Sequence, residues 1–322
     1  MRDRVSAAHR IVIKIGSSSL TGKSGGQLDP TAVDALVDVV AGLKKSGKEV
    51  LVVSSGAIAA GLAPLGLATR PKDLATQQAA ASVGQGLLIH SYTESFRRHE
   101  IAGVLRDEIL RGQFRPGERL PSERDLAARF GASRGAVREA LSQIEQLRLI
   151  DIQPGGARIK EVNDASIAVL GPLLGLGSAP DAGLVDQFLD TFSALARFTA
   201  TRAIPRITET QRTDLLAQLD AMADDLGSVE SLQPKMRAFL LTLDRIADNL
   251  VVRLISNDLQ AQFVERMLLL HPRPSLKPES LQALISGMRL GVENGDGEGV
   301  AAALDIHFLS MRALVAQALA SA

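Results

Sequence analysis

Arg134 and Arg138 have the types and spacing of residues that contact DNA, since a helix start presenting Arg is what a major groove receives. Arg134 and Arg138 fall one helical turn apart on one face, a geometry suited to guanine edges or flanking phosphates. Gly135 shares that outward side. Arg124 reads either as a solvated helix charge or as a phosphate or base contact. Gly155 and Gly156 are either turn residues or a tip whose bare backbone approaches a minor groove or phosphate.

The flanking residues predict the elements that must hold these groups. Ser122, after Pro121, is placed to cap a first helix, with Asp125 in the capping-box position and Leu126, Ala127 and Phe130 on its buried face. Gly131 ends that helix. Ser133 then caps a second, in which Val137, Leu141, Ile144 and Leu147 recur at helical spacing. The runs 149–153 and 157–160, parted by Pro154, Gly155 and Gly156, predict a β-hairpin. Upstream, Ile101, Val104, Leu105, Ile109 and Leu110 predict an amphipathic helix ended by Gly112. Helix, helix and hairpin make a winged helix-turn-helix, which presents the start of its second helix to a major groove.

The whole chain has 322 residues, with 36 Lys plus Arg against 36 Asp plus Glu, so affinity for a polyanion must come from a local patch. That length accommodates two or three domains. It has no Cys, which excludes disulfides, thiolate catalysis and cysteine zinc sites. No apolar run reads as long enough to cross a membrane and the amino terminus lacks a signal-peptide pattern, so a cytoplasmic protein is expected. His9, His90, His99 and His271 belong to no evident constellation.

A second constellation could hold phosphate. Residues 10–15 read as a buried strand running into a Gly and Ser turn, where Lys14 and backbone NH groups at Gly16 and Ser17 could meet an anion. Residues 31–45 have helical period, and 49–57 read as another strand into a turn at Ser54, Gly56 and Ala57. Strand, helix and strand predict a parallel α/β unit whose turns open on one sheet edge.

After the hairpin, 165–170 is apolar and reads as helical, while Gly171, Pro172, Gly175, Gly177, Ser178 and Pro180 predict its interruption. Beyond 181 the pattern is helical throughout: one helix around Leu184–Ala196, then 213–226, 236–254, 259–270, 279–292 and 297–319. Pro205, Pro234, Pro272, Pro274 and Pro278 are expected between helices. The result is an antiparallel bundle large enough to enclose a pocket or bury a dimer face.

Three resemblances follow. The runs 105–112, 115–123 and 133–141 look like the DNA-binding domain of GntR-type bacterial regulators. That resemblance implies DNA contact by Arg124, Ser133, Arg134, Arg138 and the wing glycine, Gly155 or Gly156, and Gly135 lies on the same outward face as Arg134 and Arg138. Residues 8–99, with Ser54–Ala57 and the run 77–85, resemble the amino-terminal part of glutamate 5-kinase in the amino acid kinase family. There Lys14, Gly16, Ser17, Ser54, Gly56 and Ala57 match phosphate- and glutamate-holding positions. The kinase pattern stops after His99, without the ATP-binding half, and phosphoryl transfer needs the whole assembly. The kinase reading therefore stands as the alternative function and is judged inactive.

The bundle is similar to the effector-binding domain of the FadR group, through its helix order and the neighbourhoods of Leu243–Arg245, Ser256–Leu259 and Asn294–His307. Where many relatives place metal ligands, this chain has Asp244, Asp248, Ile285 and His307, and Phe192 stands where an arginine often receives an effector carboxylate. Asp244 and Asp248 are expected four apart on one helix face.

The expected protein is multidomain: a partial α/β amino-acid-kinase-like segment (1–99), a winged helix-turn-helix (100–162), a linker (163–180) and an all-α effector-binding bundle (181–322). It is a homodimeric regulator on palindromic operator DNA, answering an apolar or acyl effector, with no catalytic residues, cofactor or bound metal.

Overall fold

The computed structural model describes residues 8–20, 28–177, 179–224, 229–267 and 277–320, in two compact units, Met1–Ser166 and Ile167–Ala322. His271, Pro272, Pro274, Ser178 and the predicted helix ends at 226 and 270 lie outside the described residues.

The first unit opens with β1 (Arg10–Ile15), α1 (Pro30–Lys45) and β2 (Glu49–Ser54). The strands pair in parallel, Arg10 against Glu49 through Ile15 against Ser54. Asp29 starts α1 by accepting from the Thr31 amide at 3.0 Å, and Pro30 supplies the first helical residue. One sheet face turns toward a small core of Leu20, Val33, Ala60 and Leu88. The expectation of a buried strand is corrected: β1 alternates, and on the other face Val12 and Leu51 remain 58% and 55% exposed. Burial on both faces needs helices on both, whereas α2 (Ala57–Leu62) packs on α3 (Leu74–Leu110), and α1 packs on α3 and on β2.

α3 is a single helix of 37 residues. The sequence reading begins a new helix near 101; instead the helix is continuous from Leu74, capped by Asp73, and its last turns bury Ile101, Leu105 and Ile109. Gly61 and Gly84 let α2 meet α3. A Cβ on Gly61 would lie 1.9 Å from the Ala80 carbonyl oxygen, and one on Gly84 would lie 1.8 Å from that of Ala57.

Then come α4 (Glu123–Phe130), α5 (Arg134–Gln146), β3 (Ile150–Gln153) and β4 (Gly156–Ile159), the last two antiparallel. Leu126, Val137, Ala140, Leu141, Ile144, Leu149 and Ile159 are buried at the helical and strand periods that predict them. The segment before α4 lies along β4 as an added edge: the Gly117 amide donates to the Ile159 carbonyl at 2.8 Å and the Leu120 amide to that of Ala157 at 3.0 Å.

The second unit is helical: α6 (Leu170–Leu174), α7 (Ala182–Ala203), α8 (Glu209–Ala223), α9 (Val229–Ala247), α10 (Leu250–Met267), α11 (Pro278–Asn294) and α12 (Gly297–Ala320). Its core runs through Phe188, Leu189, Leu215, Leu219, Phe239, Leu243, Met288, Val300 and Leu304. Several boundaries differ from expectation. Gly171 and Pro172 sit inside α6, where a proline in the first turn forfeits no intrahelical bond. Pro234 lies inside α9, whereas Pro205 and Pro278 do stand at helix boundaries. The predicted helix 236–254 divides, because Asp248 takes φ 50° after Ala247.

The membrane expectation also needs correction, since residues 297–319 of α12 are long and apolar enough to span a bilayer by length and composition. In this fold α12 packs along α7 and α11. Its Arg312 binds Asp186 and Asp190 of α7 at 2.6 Å, and Asp305 accepts from Arg197 at 2.7 Å.

Candidate nucleic-acid interface and bundle cavity

The recognition element is built by two caps. Ser122 accepts from the Asp125 amide at 3.2 Å and its hydroxyl donates to the Asp125 carboxylate at 2.6 Å, fixing the start of α4. Gly131, in the left-handed region at φ 58°, closes α4, and Ser133 accepts from the Ala136 amide at 3.1 Å to open α5. Burial of Ala136, Val137 and Ala140 leaves Arg134, Gly135 and Arg138 outward on the first turns, as expected. Arg138 binds Glu123 at 3.0 Å, and that guanidinium holds the Glu123 carboxyl below its usual range. Arg124 is exposed, 3.7 Å from Asp125.

At the wing, Gly155 and Gly156 take φ values of 100° and 125°, which only glycine adopts without strain. Arg119, which sequence reasoning missed, lies beside the tip, its Nη2 3.4 Å from where a Gly155 Cβ would sit. Arg158 of β4 donates to the Gly117 carbonyl at 2.9 Å. Glu94 of α3 was also missed: its carboxylate accepts from the Ser133 hydroxyl at 2.9 Å.

In the front segment, Lys14 is exposed on β1 opposite Val53, and Gly16 and Ser17 follow at the strand's end. Ser54 ends β2 and accepts from the Gly56 amide at 3.3 Å, while Ala57 begins α2. Both turns therefore leave the same sheet edge, as expected of a parallel pair.

The helical unit contains a cavity of about 460 Å³, walled chiefly by Phe188, Phe192, Met236, Leu240, Phe308 and Met311, with Arg237, Gln260 and His307 also on its lining. Phe192 stacks on Phe188 with ring centroids 6.0 Å apart and meets Phe308 edge-on at 5.4 Å. Burial lowers the His307 pKa to about 4, so the imidazole is neutral at pH 7. Of the five predicted pocket residues, Phe192 and His307 reach this cavity. Ile285 is packed in the core, and Asp244 is buried elsewhere, accepting from Thr199 Oγ1 at 3.0 Å. Burial raises the Asp244 pKa, the Thr199 bond opposing it. Asp248 is exposed beyond the end of α9, so the expected pair on one helix face is not formed. Among the described residues no cluster of three His, Asp or Glu converges to hold a metal.

The family described as "Bacterial regulatory proteins, gntR family" matches residues 97–158, which are therefore a GntR-type DNA-binding domain. Glutamate 5-kinase of Salinispora arenicola is 69% identical over 101 residues, covering 31% of this chain and 27% of that enzyme. Glutamate 5-kinase of Streptomyces coelicolor is 42% identical over 242 residues, covering 63% of this chain and 62% of that enzyme. The chain thus spans less than two thirds of the length of either kinase. A solved transcriptional regulator of the GntR family from Pseudomonas syringae pv. tomato covers 70% of this chain and 86% of its own at 23% identity and a TM-score of 0.36, a loose superposition.

Proposed function

We propose that this chain, a GntR-type regulator with a glutamate-5-kinase-like segment, binds a palindromic operator as a homodimer and releases it in response to an apolar or acyl effector. The observation that carries the reading is the capped, outward-facing start of α5, with Arg134 and Arg138 exposed beside Arg124 and a glycine-tipped wing. Exposed cations on a helix end supply phosphate and base-edge contacts. Gly135 lets the backbone of that end approach closely.

For the effector, the cavity of about 460 Å³ falls in the range of small-molecule sites, and its aromatic and Met walls favour an acyl or aryl body over a small dicarboxylate. Phe192 offers no anion anchor there. For the dimer, Leu250, Val251 and Leu254 of α10 are 58%, 66% and 58% exposed, an apolar stripe suited to a second copy. Differential affinity of the effector for two dimer geometries would couple the cavity to DNA.

The front segment is read as catalytically inactive, with Lys14, Gly16, Ser17, Ser54, Gly56 and Ala57 as vestigial phosphate and substrate positions. Its two described strands precede a helix that runs straight into the winged domain, whereas phosphoryl transfer needs the whole kinase assembly.

The decisive experiment selects duplexes from a random pool with the full chain and measures affinity by fluorescence anisotropy. Arg134→Ala and Arg138→Ala should each cost about 1–3 kcal/mol if they read bases. Unchanged binding in both variants refutes the recognition helix. Glutamate-dependent ADP formation by the purified chain would establish the kinase alternative.

A further inference from the structure

The N-terminal end of α5 is already occupied by an anion from the chain itself. Glu94 Oε2 accepts from the Ser133 hydroxyl at 2.9 Å, and Arg97 steadies the other oxygen at 3.3 Å. The carboxylate is not a loose surface group: its side chain is 20% exposed. Around it, Arg98 bridges three elements, binding Asp34 of α1 at 2.5 Å and Glu139 of α5 at 2.8 Å, with its own side chain 15% exposed. Ser95, buried on α3, donates to the same Asp34. These contacts fix α1, α3 and α5 against one another and hold Glu94 where it is.

A hydroxyl at the start of a helix, beside free amides and an arginine, is a favourable place for a phosphate oxygen. A carboxylate competes for the same donors and repels the incoming charge. We infer that Glu94 stands in for a DNA phosphate at the start of the recognition helix, so that the front segment holds the winged domain in a weakened DNA-binding state. The inference rests on the proposed reading of Ser133 and Arg134 as DNA-facing residues. It gives the front segment a regulatory use independent of any kinase chemistry, since whatever shifts α1 or the middle of α3 withdraws the carboxylate.

The test uses the full chain and a duplex selected by the wild type from a random pool, with affinity followed by anisotropy across a salt series. Glu94→Gln keeps an acceptor for Ser133 and removes the charge; Glu94→Asp keeps the charge and draws it back by one methylene. Glu94→Gln should tighten binding by about threefold to tenfold and steepen the slope of log K against log salt by about one, as for one added phosphate contact. Glu94→Asp should tighten it by less. Glu49→Gln, an equal charge change at the Arg10 pair, should leave binding within about twofold of wild type, the limit expected of a charge away from the interface.

Arg134→Ala, run in parallel, separates the two ideas. If it loses binding while the Glu94 variants match wild type in affinity and slope, the masking is overturned and the DNA reading stands. If Arg134→Ala binds as wild type does, the DNA reading itself fails. Should one Glu94 variant melt early by circular dichroism, the other decides.

Discussion

Replacing Gly84 by alanine should destabilise the first unit, while the same change two residues later at Gly86 should stabilise it. Both glycines lie in α3, so both substitutions gain the helix propensity of alanine over glycine, about 1 kcal/mol. At Gly86 nothing lies within 4 Å of the new Cβ, and the gain is kept. At Gly84 the Cβ would sit 1.8 Å from the Ala57 carbonyl oxygen and 2.6 Å from the Gly61 amide nitrogen. These are backbone atoms, so no side chain can swing away. Only separation of α2 from α3 relieves the overlap, and overpacking of this kind costs about 1–3 kcal/mol, occasionally more. Because the contact is harder than the usual inserted methylene, the upper part of that range applies, leaving Gly84→Ala about 1–2 kcal/mol below wild type after the propensity gain. The gap between the two variants should then be about 2–3 kcal/mol. Urea unfolding followed by circular dichroism, with slopes compared to confirm the same transition, measures it. Equal stability of the two variants would refute the close α2–α3 contact and with it the anchoring of α3.

Other consequences follow from the helical unit. His307 titrates near 4 rather than 6.5 when folded, so the unfolded chain takes up its proton first as pH falls. Stability should be full above about pH 6.5 and decline as pH falls toward about 4, by at most about 3 kcal/mol and less where cavity water solvates the ring. His307→Phe should flatten that part of the pH profile of melting. Phe192→Arg places a cation in the apolar cavity; acyl thioesters that release DNA from wild type should no longer do so, whereas retained response would place the effector elsewhere. Added zinc or nickel should leave the melting temperature unchanged, and stoichiometric binding lost on Asp244→Ala would contradict that expectation.

The winged domain was legible because its signals are local. Ser122, Gly131 and Ser133 cap their helices by bonds to residues three or four away, and Val137, Leu141 and Ile144 mark a buried face by period alone. The continuity of α3 was not legible, since the face it buries changes partners along its length and no single apolar phase runs through it. Phe192 and His307 line the cavity, whereas Asp244 and Ile285 point into core packing that only the bundle's tertiary contacts decide. Asp248 was misread because the apolar period of 236–254 carries across it, whereas Asp and Asn are poor helix formers that tolerate positive φ, and Asp248 at φ 50° ends α9 there. The Glu94 contact with Ser133 joins residues 39 apart and has no sequence signature.

The unbroken α3 gives the stretch between Glu94 and Ile101 an angular register. Each residue of an α-helix advances about 100° around the axis. One residue inserted or deleted between Glu94 and Ile101 would therefore swing the front segment through more than a quarter of a turn relative to the buried face of Ile101, Leu105 and Ile109. Seven residues, close to two full turns, would nearly restore the phase while displacing the segment along the axis by about 10 Å. A join made within a helix thus works like a keyed shaft: the two parts it connects can be exchanged only in discrete orientations, and of those only a few keep Arg98 between Asp34 and Glu139.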